Sequence, residues 1–211
     1  MFTGIIQEIG TIQRISPGQS CKIMIRAKRI LKDVAIGDSV SVDGACLTVA
    51  TFDKAGFQVD AMPETIERTT LKYLKVGSRV NMEASLKLGD KMGGHWVTGH
   101  VDGTGKILNT EKAGNSIIYE ISISRELSEY LVPKGSVAVD GISLTIIECG
   151  EAAFSIGLIP HTLQNTTLVE KGIGDHVNLE TDVIGKYVRR HLKGSSDGSV
   201  TEKLLRESGF I

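Results

Sequence analysis

The 211-residue sequence predicts an all-β protein of two similar small domains, and three features lead to that prediction. Four peptides occur twice in the same order, which indicates an internal duplication. Several short segments alternate apolar and polar residues, which is the period of a half-buried strand. Helical patterns are almost confined to the C-terminal tail, so strands have to supply the hydrophobic cores.

The duplication is visible as four peptide pairs. They are FTGII at 2–6 and VTGHV at 97–101, VSVDGACLTV at 40–49 and VAVDGISLTI at 137–146, MPETIERTTL at 62–71 and IPHTLQNTTL at 159–168, and VGSRVNME at 76–83 and IGDHVNLE at 173–180. The last three pairs share an offset of 97 residues and the first has an offset of 95. The second pair is identical at six of ten positions, and its sharpest difference places Cys46 opposite Ser143.

A period near 97 residues is too long for a solenoid and matches a small independent domain. We therefore expect an N-terminal β domain over residues 1–95, a C-terminal β domain over 96–185 and a helical tail over 186–211. The segment that joins the two domains, from Leu88 to Trp96, contains three glycines and is typical of a short linker.

Within each repeat the residues predict short strands. CKIMIRA at 21–27 and IIYEISI at 117–123 alternate in polarity, and each VDG peptide places an Asp-Gly bend between β-branched residues. Phe57–Ala61 and Phe154–Leu158 each follow a turn signal, while TIERTTL and TLQNTTL are each long enough for one helical turn. Short strands at this spacing predict a small closed barrel or a sandwich.

The C-terminal tail differs from the repeats. Ile184–Lys193 and Val200–Leu205 have helical patterns, and Ser199 with Glu202 forms a capping-box pattern. The apolar residues of the tail have no partner within either repeat, so we expect them to be buried against another chain.

Composition excludes several classes of protein. A net charge of −1 and 5% aromatic residues argue against a tandem β-barrel that binds nucleic acid, which would need a basic face with interleaved aromatic side chains. The three separated cysteines have no metal-ligand spacing and fit a reducing compartment. The N-terminus lacks the pattern of a signal peptide, and no apolar run is long enough for a membrane span. We therefore expect a cytoplasmic protein with no metal site and no contact with membranes.

The ordered motifs resemble one family. MFTGII, GACLTV, MPETIERTTL, GGHWVTGHVDG, GISLT and LIPHTLQNTTL follow one another as in riboflavin synthases, and the resemblance covers about residues 1–185. It implies two similar six-stranded Greek-key β-barrels plus a C-terminal α-helix. It also implies a homotrimer in which the N-terminal barrel of one subunit faces the C-terminal barrel of a neighbour, with the active site between them.

The resemblance further implies the reaction, which uses no cofactor. Two molecules of 6,7-dimethyl-8-ribityllumazine exchange a four-carbon unit and give riboflavin and 5-amino-6-ribitylaminouracil. One lumazine loses a proton from its C7 methyl group, a nucleophile adds at C7 of the other, and a pentacyclic adduct forms and fragments. Duplication would supply two similar pockets, and the divergence at Cys46 and Ser143 would make them unequal.

Substrate contacts carry over from the family motifs by position. In the first repeat they are Phe2, Thr3, Gly4, Ile5, Ile6, Ser39, Cys46, Leu47, Thr48, Asp60, Ala61, Met62, Pro63, Glu64 and Thr65. In the second repeat they are Gly99, His100, Val101, Lys134, Ser143, Leu144, Thr145, Gly157, Leu158, Ile159, Pro160, His161 and Thr162. Phe2 and Thr3 are expected to cap the pocket from the N-terminus.

Five of the matched positions are candidates for chemistry. His100 is expected to transfer protons, and Ser143, Cys46 or a bound water is expected to be the nucleophile. The resemblance also assigns Lys134 and Asp182 to the site. Orientation of two reactants can contribute about 7–11 kcal/mol. One general acid or base contributes only about 10²–10⁴-fold in rate. Positioning should therefore dominate.

Each candidate also has a structural interpretation. Cys46 could be a packed core thiol, Lys134 a surface lysine, and Asp182 the cap of the following helix. Ser143 and Thr145 could satisfy neighbouring backbone groups. His95, His161, His176 and His191 are expected to serve the structure rather than the chemistry.

The alternative function is a carrier that binds a lumazine or flavin, is fluorescent and performs no chemistry. Such a protein can lose one pocket, whereas here both repeats keep the paired threonines, Thr48 with Thr65 and Thr145 with Thr162. The enzyme is therefore preferred. The residues leave open which barrel holds the donor, whether Trp96 packs on the pocket or on a barrel end, and whether the protein associates with lumazine synthase.

Overall fold

A computed structural model describes residues 1–18, 20–195 and 206. The first repeat forms the strands β1 (Glu8–Ser16), β2 (Cys21–Arg26), β3 (Ser39–Val42), β4 (Ala45–Phe52), β5 (Gly56–Ala61) and β6 (Arg79–Ala84), with the helix α1 (Pro63–Arg68) and 3₁₀ turns at Ile30–Lys32 and Thr70–Tyr73. The second repeat forms β7 (Gly103–Ala113), β8 (Ser116–Ser122), β9 (Ser136–Val139), β10 (Ile142–Cys149), β11 (Ala153–Leu158) and β12 (His176–Thr181). It also contains α2 (Arg125–Ser128), α3 (Pro160–Asn165) and a 3₁₀ turn at Thr167–Glu170, and α4 (Val183–Ser195) follows.

Each set of six strands closes into an antiparallel barrel. The strand order is β1-β2-β5-β4-β3-β6 in the first barrel and β7-β8-β11-β10-β9-β12 in the second, so the two barrels have the same topology. In each barrel the sixth strand returns to lie beside the third, which is a Greek-key connection. The prediction of two six-stranded Greek-key barrels is confirmed, and the sandwich left open by the strand pattern is wrong.

The two barrels also share their irregularities. A register shift leaves one extra residue in β1 at Gln13 and in β7 at Leu108, and the same occurs in β4 at Ala50 and in β10 at Ile147. Bulges of this kind bend a strand and increase its twist. They help six short strands to close around a narrow core.

The cores consist mainly of Ile, Val and Leu, as a chain with few aromatic residues requires. Each core contains one phenylalanine at an equivalent position, Phe57 on β5 and Phe154 on β11, and both side chains are almost fully buried. Alternation along the strands sends every second side chain inward. The outward row is thereby free to carry polar groups.

Reciprocal hydrogen bonds join the barrels. The Asn178 side-chain amide donates to Asp43 O (2.7 Å), and its oxygen accepts the backbone N–H of Thr70 (2.7 Å). Asn81 makes the matching bonds to Asp140 O (3.1 Å) and the N–H of Thr167 (2.8 Å). The two repeats therefore contact each other through the same surface, as the subunits of a two-fold dimer do.

The described part of the tail forms a single helix on the second barrel. Arg189 of α4 lies over the ring of Tyr130 (4.6 Å to its centroid), forms an ion pair with Glu129 and donates to Glu126 O. The predicted helix at Ile184–Lys193 lies within α4, while the predicted helix at Val200–Leu205 and its capping box fall outside the described residues.

The outer face of α4 is apolar. The spacing of four apolar residues places them on one side of the helix. These side chains are between 52% and 72% exposed: Ile184, Tyr187, Val188 and Leu192. This agrees with the expectation that the apolar residues of the tail have no partner within either repeat. Within the described residues, no helix is long and apolar enough to cross a membrane.

Candidate active site

Two arms form the centre of the candidate site: residues 2–6, at the start of the first repeat, and residues 97–101, at the start of the second. They meet in an antiparallel bridge in which the N–H of Phe2 donates to Val97 O (2.7 Å) and the N–H of Val97 donates to Phe2 O (3.2 Å). The Phe2 ring is fully buried in a small cluster with Val97, Ala138 and Cys46. Phe2 therefore anchors the two arms to each other, whereas the sequence had suggested that it caps a pocket.

Each arm lies on the barrel of the other repeat. The N–H of Ser143 on β10 donates to Gly4 O (2.8 Å), and the N–H of Cys46 on β4 donates to Gly99 O (2.8 Å). Farther along the arms, Ile6 packs against the core of the second barrel and Val101 against the core of the first. The sequence groups the candidate residues by repeat. In the structure, each arm instead lies beside candidates of the other repeat.

Glycine is required where each arm crosses its strand. Gly4 and Gly99 have φ angles of +76° and +81°, and a Cβ atom at either would lie 2.6 Å from the Cβ of Ser143 or Cys46. Any larger residue would push the arm away from the strand. The close approach brings the backbone of each arm next to the side chain that differs between the repeats.

A buried glutamate holds each arm. The carboxylate of Glu83 accepts the N–H and hydroxyl of Thr3 (2.7 and 2.6 Å) and the N–H of Gly4 (2.9 Å). Glu180 makes the same three bonds to Thr98 and Gly99, at 2.6, 2.6 and 3.0 Å. Burial raises the pKa of both carboxyl groups, and the hydrogen bonds from the arm oppose that shift.

Sequence analysis missed these two glutamates, although both end the repeated VNxE peptides. The signal in the sequence was a carboxylate at the same strand position in both repeats. Because a buried charge needs hydrogen-bond donors, such a carboxylate indicates that donor groups lie beside it.

Ser143 has a histidine beside it. The Nδ1 atom of His95 lies 2.6 Å from Ser143 Oγ, which is hydrogen-bonding distance. The His95 side chain is buried, and its Nε2 atom has no hydrogen-bond partner within the described part of the chain. Burial lowers the pKa of His95, and the nearby Asp182 carboxylate partly offsets this. A neutral imidazole in contact with a hydroxyl can accept its proton.

His95 was expected to be structural, and the structure instead makes it a candidate for chemistry. The GGH peptide that carries it gave a partial signal, because Gly94 allows the backbone to pass close to Ser143: a Cβ at Gly94 would lie 2.8 Å from Ser143 Oγ. The exposed neighbour Trp96 is 55% accessible to solvent, so its ring is buried neither on the pocket nor on a barrel end.

The surroundings of Cys46 are different. Its side chain packs against the apolar cluster of Phe2, Val97 and Ala138. The adjacent arm places His100 above the first barrel, exposed and with its backbone N–H on Thr98 Oγ1 (3.2 Å). Of the two histidines in the GGHWVTGH peptide, His95 thus contacts Ser143 of the second barrel, whereas His100 follows Gly99, which lies on Cys46 of the first.

A polar row follows Cys46 across the outside of the first barrel. Ser39 pairs with Thr48, and Thr48 pairs with Asp60, so three neighbouring strands present their polar side chains in line. The segment from Met62 to Thr65 continues this row into α1. In the second barrel Gly157 occupies the position of Asp60, so this position carries a carboxylate only in the first barrel.

Several predicted contacts turn their side chains away from the ligand face. Leu47 and Ala61, like Leu144 and Leu158, are buried in the barrel cores. A ligand above these strands could reach only their backbone groups, which offer N–H donors and C=O acceptors.

Lys134 and Asp182 lie at the second barrel. Lys134 has a φ angle of +67°, an unfavourable conformation for a residue with a Cβ atom, whereas its counterpart in the first repeat is Gly37 with φ +92°. A strained lysine in place of glycine indicates a role for its side chain. Asp182 Oδ1 accepts the N–H of Ile184 (2.9 Å), so it caps α4 while its charge acts on His95.

The remaining candidates are at the entrance to α3. Ile159, Pro160 and His161 are exposed, and Thr162 is half-buried. The described residues contain no group of three or more His, Cys, Asp or Glu side chains that could hold a metal ion. The three cysteines are free thiols.

The chain is similar to known proteins in both sequence and fold. A sequence profile of the lumazine binding domain matches residues 3–85 and again 98–182. Riboflavin synthases of Bacillus subtilis (strain 168) and Actinobacillus pleuropneumoniae are 45% and 42% identical to the chain, with complete coverage of both sequences. The riboflavin synthase of Mycobacterium tuberculosis (strain CDC 1551 / Oshkosh) is 40% identical over 92% of the chain and all of the relative.

Solved structures of LumP are also similar. The crystal structure of LumP complexed with riboflavin has a TM-score of 0.78 at 29% identity, and the complex with 6,7-dimethyl-8-(1'-D-ribityl) lumazine has a TM-score of 0.77 at 27% identity. Each match covers 86% of this chain and 99% of the other.

Proposed function

Because the chain belongs to the riboflavin synthase family of tandem lumazine-binding domains, we propose that it converts two 6,7-dimethyl-8-ribityllumazine molecules into riboflavin and 5-amino-6-ribitylaminouracil. The observation that supports this proposal is a pair of equivalent strand positions with unequal surroundings, a serine beside a histidine at one and a cysteine in an apolar cluster at the other. The reaction needs two copies of one substrate in two different roles, and unequal pockets provide them.

The second pocket suits the acceptor lumazine. Ser143 Oγ and His95 Nδ1 form a nucleophile and base pair, so the hydroxyl, or a water that it binds, can add to C7 as His95 takes the proton. Lys134 would lie over the same ligand and favour negative charge on its ring. Asp182 would stabilise the imidazolium that forms, since its charge already favours protonation of His95.

The first pocket suits the donor. His100 would remove a proton from the C7 methyl group, and the backbone of the strands around Cys46 and Thr48 would bind the ring edge. The carbanion then attacks the activated acceptor, and the pentacyclic adduct fragments. The nucleophile leaves with its proton, and the atoms of two lumazines equal those of the two products, so no oxidant or reductant is consumed.

The two pockets would meet between subunits. The exposed apolar face of α4 supports an oligomer, and we propose a homotrimer whose active sites each combine a first barrel and a second barrel from neighbouring chains. As a biosynthetic enzyme the protein would work in the cytoplasm. Association with lumazine synthase, which supplies the substrate, belongs to the same proposal.

One incubation tests the function. The purified chain is mixed with 6,7-dimethyl-8-ribityllumazine in the presence of a chelator, and both pteridines are followed by chromatography. We expect one riboflavin for every two lumazines consumed. A lumazine that stays bound and fluorescent but is never converted would support the carrier instead, a function that the full-length riboflavin synthase relatives do not favour.

A further inference from the structure

The first barrel has a cavity that adjoins the end of its candidate substrate row at Pro63. The cavity measures about 310 Å³ and lies between the β1–β2 pair and the segment from α1 to the following 3₁₀ turn. Its walls are mainly apolar and include Ile15, Cys21, Ile23, Ile66 and Leu71, with Glu67 and Lys72 at the border. On the side of α1 it is bordered by Ile66 and Glu67 and by Pro63, which is also a predicted substrate contact.

The second barrel shows which group belongs in this space. Strand register places Ile23 of β2 opposite Val59, and its counterpart Tyr119 of β8 opposite Ile156. The Tyr119 ring is 2% exposed, and its hydroxyl donates to Leu168 O (3.2 Å). The ring therefore spans from the strand to the 3₁₀ turn, across the region that is empty in the first barrel.

A carbonyl oxygen marks the same difference. Leu168 O accepts two hydrogen bonds, one from the Tyr119 hydroxyl and one from the N–H of Lys171 (3.1 Å). Its counterpart in the first barrel, Leu71 O, accepts the N–H of Leu74 (3.1 Å) but, within the described part of the chain, no bond from a hydroxyl group. A carbonyl oxygen has two lone pairs, so Leu71 O, which belongs to a residue that lines the cavity, can accept a second hydrogen bond.

Two further differences between the repeats have opposite effects on the size of the cavity. Cys21 replaces the larger Ile117, which widens the cavity, and Ile15 replaces the smaller Thr110, which narrows it. Burial raises the pKa of Cys21, so the thiol is a neutral, weakly polar lining group. The cavity that remains is at the lower end of the range of about 300–1,000 Å³ for small-molecule sites.

We propose that this cavity binds a small monocyclic phenol. The ring would take the place that the Tyr119 ring has in the second barrel, and the phenol hydroxyl would donate to Leu71 O as Tyr119 donates to Leu168 O. Ile15, Ile66 and Leu71 would cover its faces. The phenol side chain of Tyr119 in the second repeat is thus the model for the ligand that we propose for the first.

The probe is p-cresol, which has the atoms of a tyrosine side chain. We titrate it into the full-length protein and follow the isoleucine methyl groups by two-dimensional NMR. Saturable shifts are expected at Ile15, Ile23 and Ile66, with one equivalent bound per chain. Toluene lacks the hydroxyl and should bind roughly two- to tenfold more weakly, the factor that corresponds to one net hydrogen bond.

Reciprocal substitutions form the matched controls. Ile23→Tyr fills the cavity with the chain's own ring and should abolish the shifts at Ile15 and Ile66. Tyr119→Ile opens the corresponding space in the second barrel and should add a second binding equivalent. Cys21→Ile is a milder change, taken from the second repeat, and should weaken binding even if Ile23→Tyr does not fold.

Three results would overturn the proposal. One is the absence of saturable shifts at millimolar p-cresol in the wild-type protein. Another is p-cresol binding that a folded Ile23→Tyr or Cys21→Ile protein retains unchanged. The third is equal affinity for toluene, which would leave an apolar cavity without the hydrogen bond to Leu71 O.

Discussion

Ser143 and Cys46 are equivalent residues that the fold places in different chemical surroundings. The serine hydroxyl contacts a buried imidazole at 2.6 Å, while the cysteine thiol packs in an apolar cluster. The two arms make the same backbone bonds at both positions, so the frame is symmetric and only the side chains differ. At the scale of single residues, the asymmetry that a donor and an acceptor require is therefore confined to a few side chains on a common backbone.

His100→Gln is expected to lower kcat without abolishing the reaction. Glutamine keeps a polar side chain of similar size but cannot take a proton, so the loss should not exceed about 10²–10³-fold, within the range of one general acid or base. Riboflavin formation and lumazine affinity are measured together. Complete loss of turnover in a folded His100→Gln protein that still binds lumazine would contradict the view that positioning dominates.

Phe2→Ala should be much more damaging, although the Phe2 ring has no reacting group. Removing a fully buried phenylalanine costs about 3–5 kcal/mol, and here it also releases the bridge to Val97. Displacement of the arms by about 1 Å would cost on the order of 100-fold in rate. Turnover is compared with that of Phe52→Ala, a change at an exposed ring that should leave activity within about twofold.

Contradiction would come from a folded Phe2→Ala protein that keeps wild-type turnover. The bridge between the arms would then be dispensable, and the candidate site would have to be held by the barrels alone.

Sequence comparison between the repeats identified equivalent residues but could not place them near each other. Duplication indicates that Gly4 corresponds to Gly99, whereas only the fold reveals that Gly4 lies on Ser143 and Gly99 on Cys46. Such contacts join residues more than fifty positions apart through backbone groups, which carry no residue-specific signal. His95 was missed because its partner, the side-chain hydroxyl of Ser143, is 48 positions away in the sequence.

At the scale of elements, the arms determine the geometry of both pockets. Each arm has one backbone bond to a strand and three bonds to a buried glutamate, so it is fixed on both sides. The arms also exchange barrels, so a displacement of either one affects the pocket of the other repeat. Strand periodicity predicted the barrels well, because alternation is a local property, but the arms have no periodic pattern to read.

Gly4→Ala tests the close approach of the first arm. The new Cβ would lie 2.6 Å from the Cβ of Ser143, so the arm must move and turnover should fall by roughly 100-fold. Gly77→Ala is the matched control, since Gly77 has a similar φ angle of +90° but nothing within 4 Å of the added Cβ. The control should lose about 1 kcal/mol of stability and keep its activity.

Kinetic and unfolding measurements on both variants separate the two effects. Equal losses of activity in the two proteins would mean that backbone strain, rather than contact with Ser143, controls the site.

At the scale of the whole molecule, the barrels are joined around two buried aspartates with one lysine between them. Asp140 forms an ion pair with Lys171 (2.5 Å), whereas the residue of the first repeat that corresponds to Lys171 is Leu74. Burial and the charge of Asp140 raise the pKa of Asp43 to about 7, and Lys171 only partly offsets them. At this interface Asn81 and Asn178 make matching hydrogen bonds, whereas, among the described residues, only the aspartate of the second repeat has a lysine as its ion-pair partner.

This asymmetry predicts how stability depends on pH. In the unfolded chain Asp43 ionises near its ordinary value of 3.8, while in the folded protein it keeps its proton until about pH 7. The folded state therefore binds more protons between these values, and the free energy of unfolding falls as pH rises, by up to about 1.4 kcal/mol per pH unit for this group. Buried Glu83 and Glu180 have raised pKa values and contribute a slope of the same sign.

Asp43→Asn removes one of these slopes and keeps the hydrogen bond, since an amide oxygen can still accept the N–H of Asn81 (2.7 Å). Urea unfolding at intervals from pH 4.5 to 7.5 should show a variant that gains stability over the wild type as pH increases. Glu111→Gln, at an exposed carboxylate of β7, should leave the pH dependence unchanged. A difference between Asp43→Asn and wild type that is constant across the range would mean that Asp43 is already ionised in the folded protein at pH 4.5. Lys171 would then have to neutralise both aspartates at once, and the interface between the barrels would be held by a charged triad instead of a protonated carboxyl group.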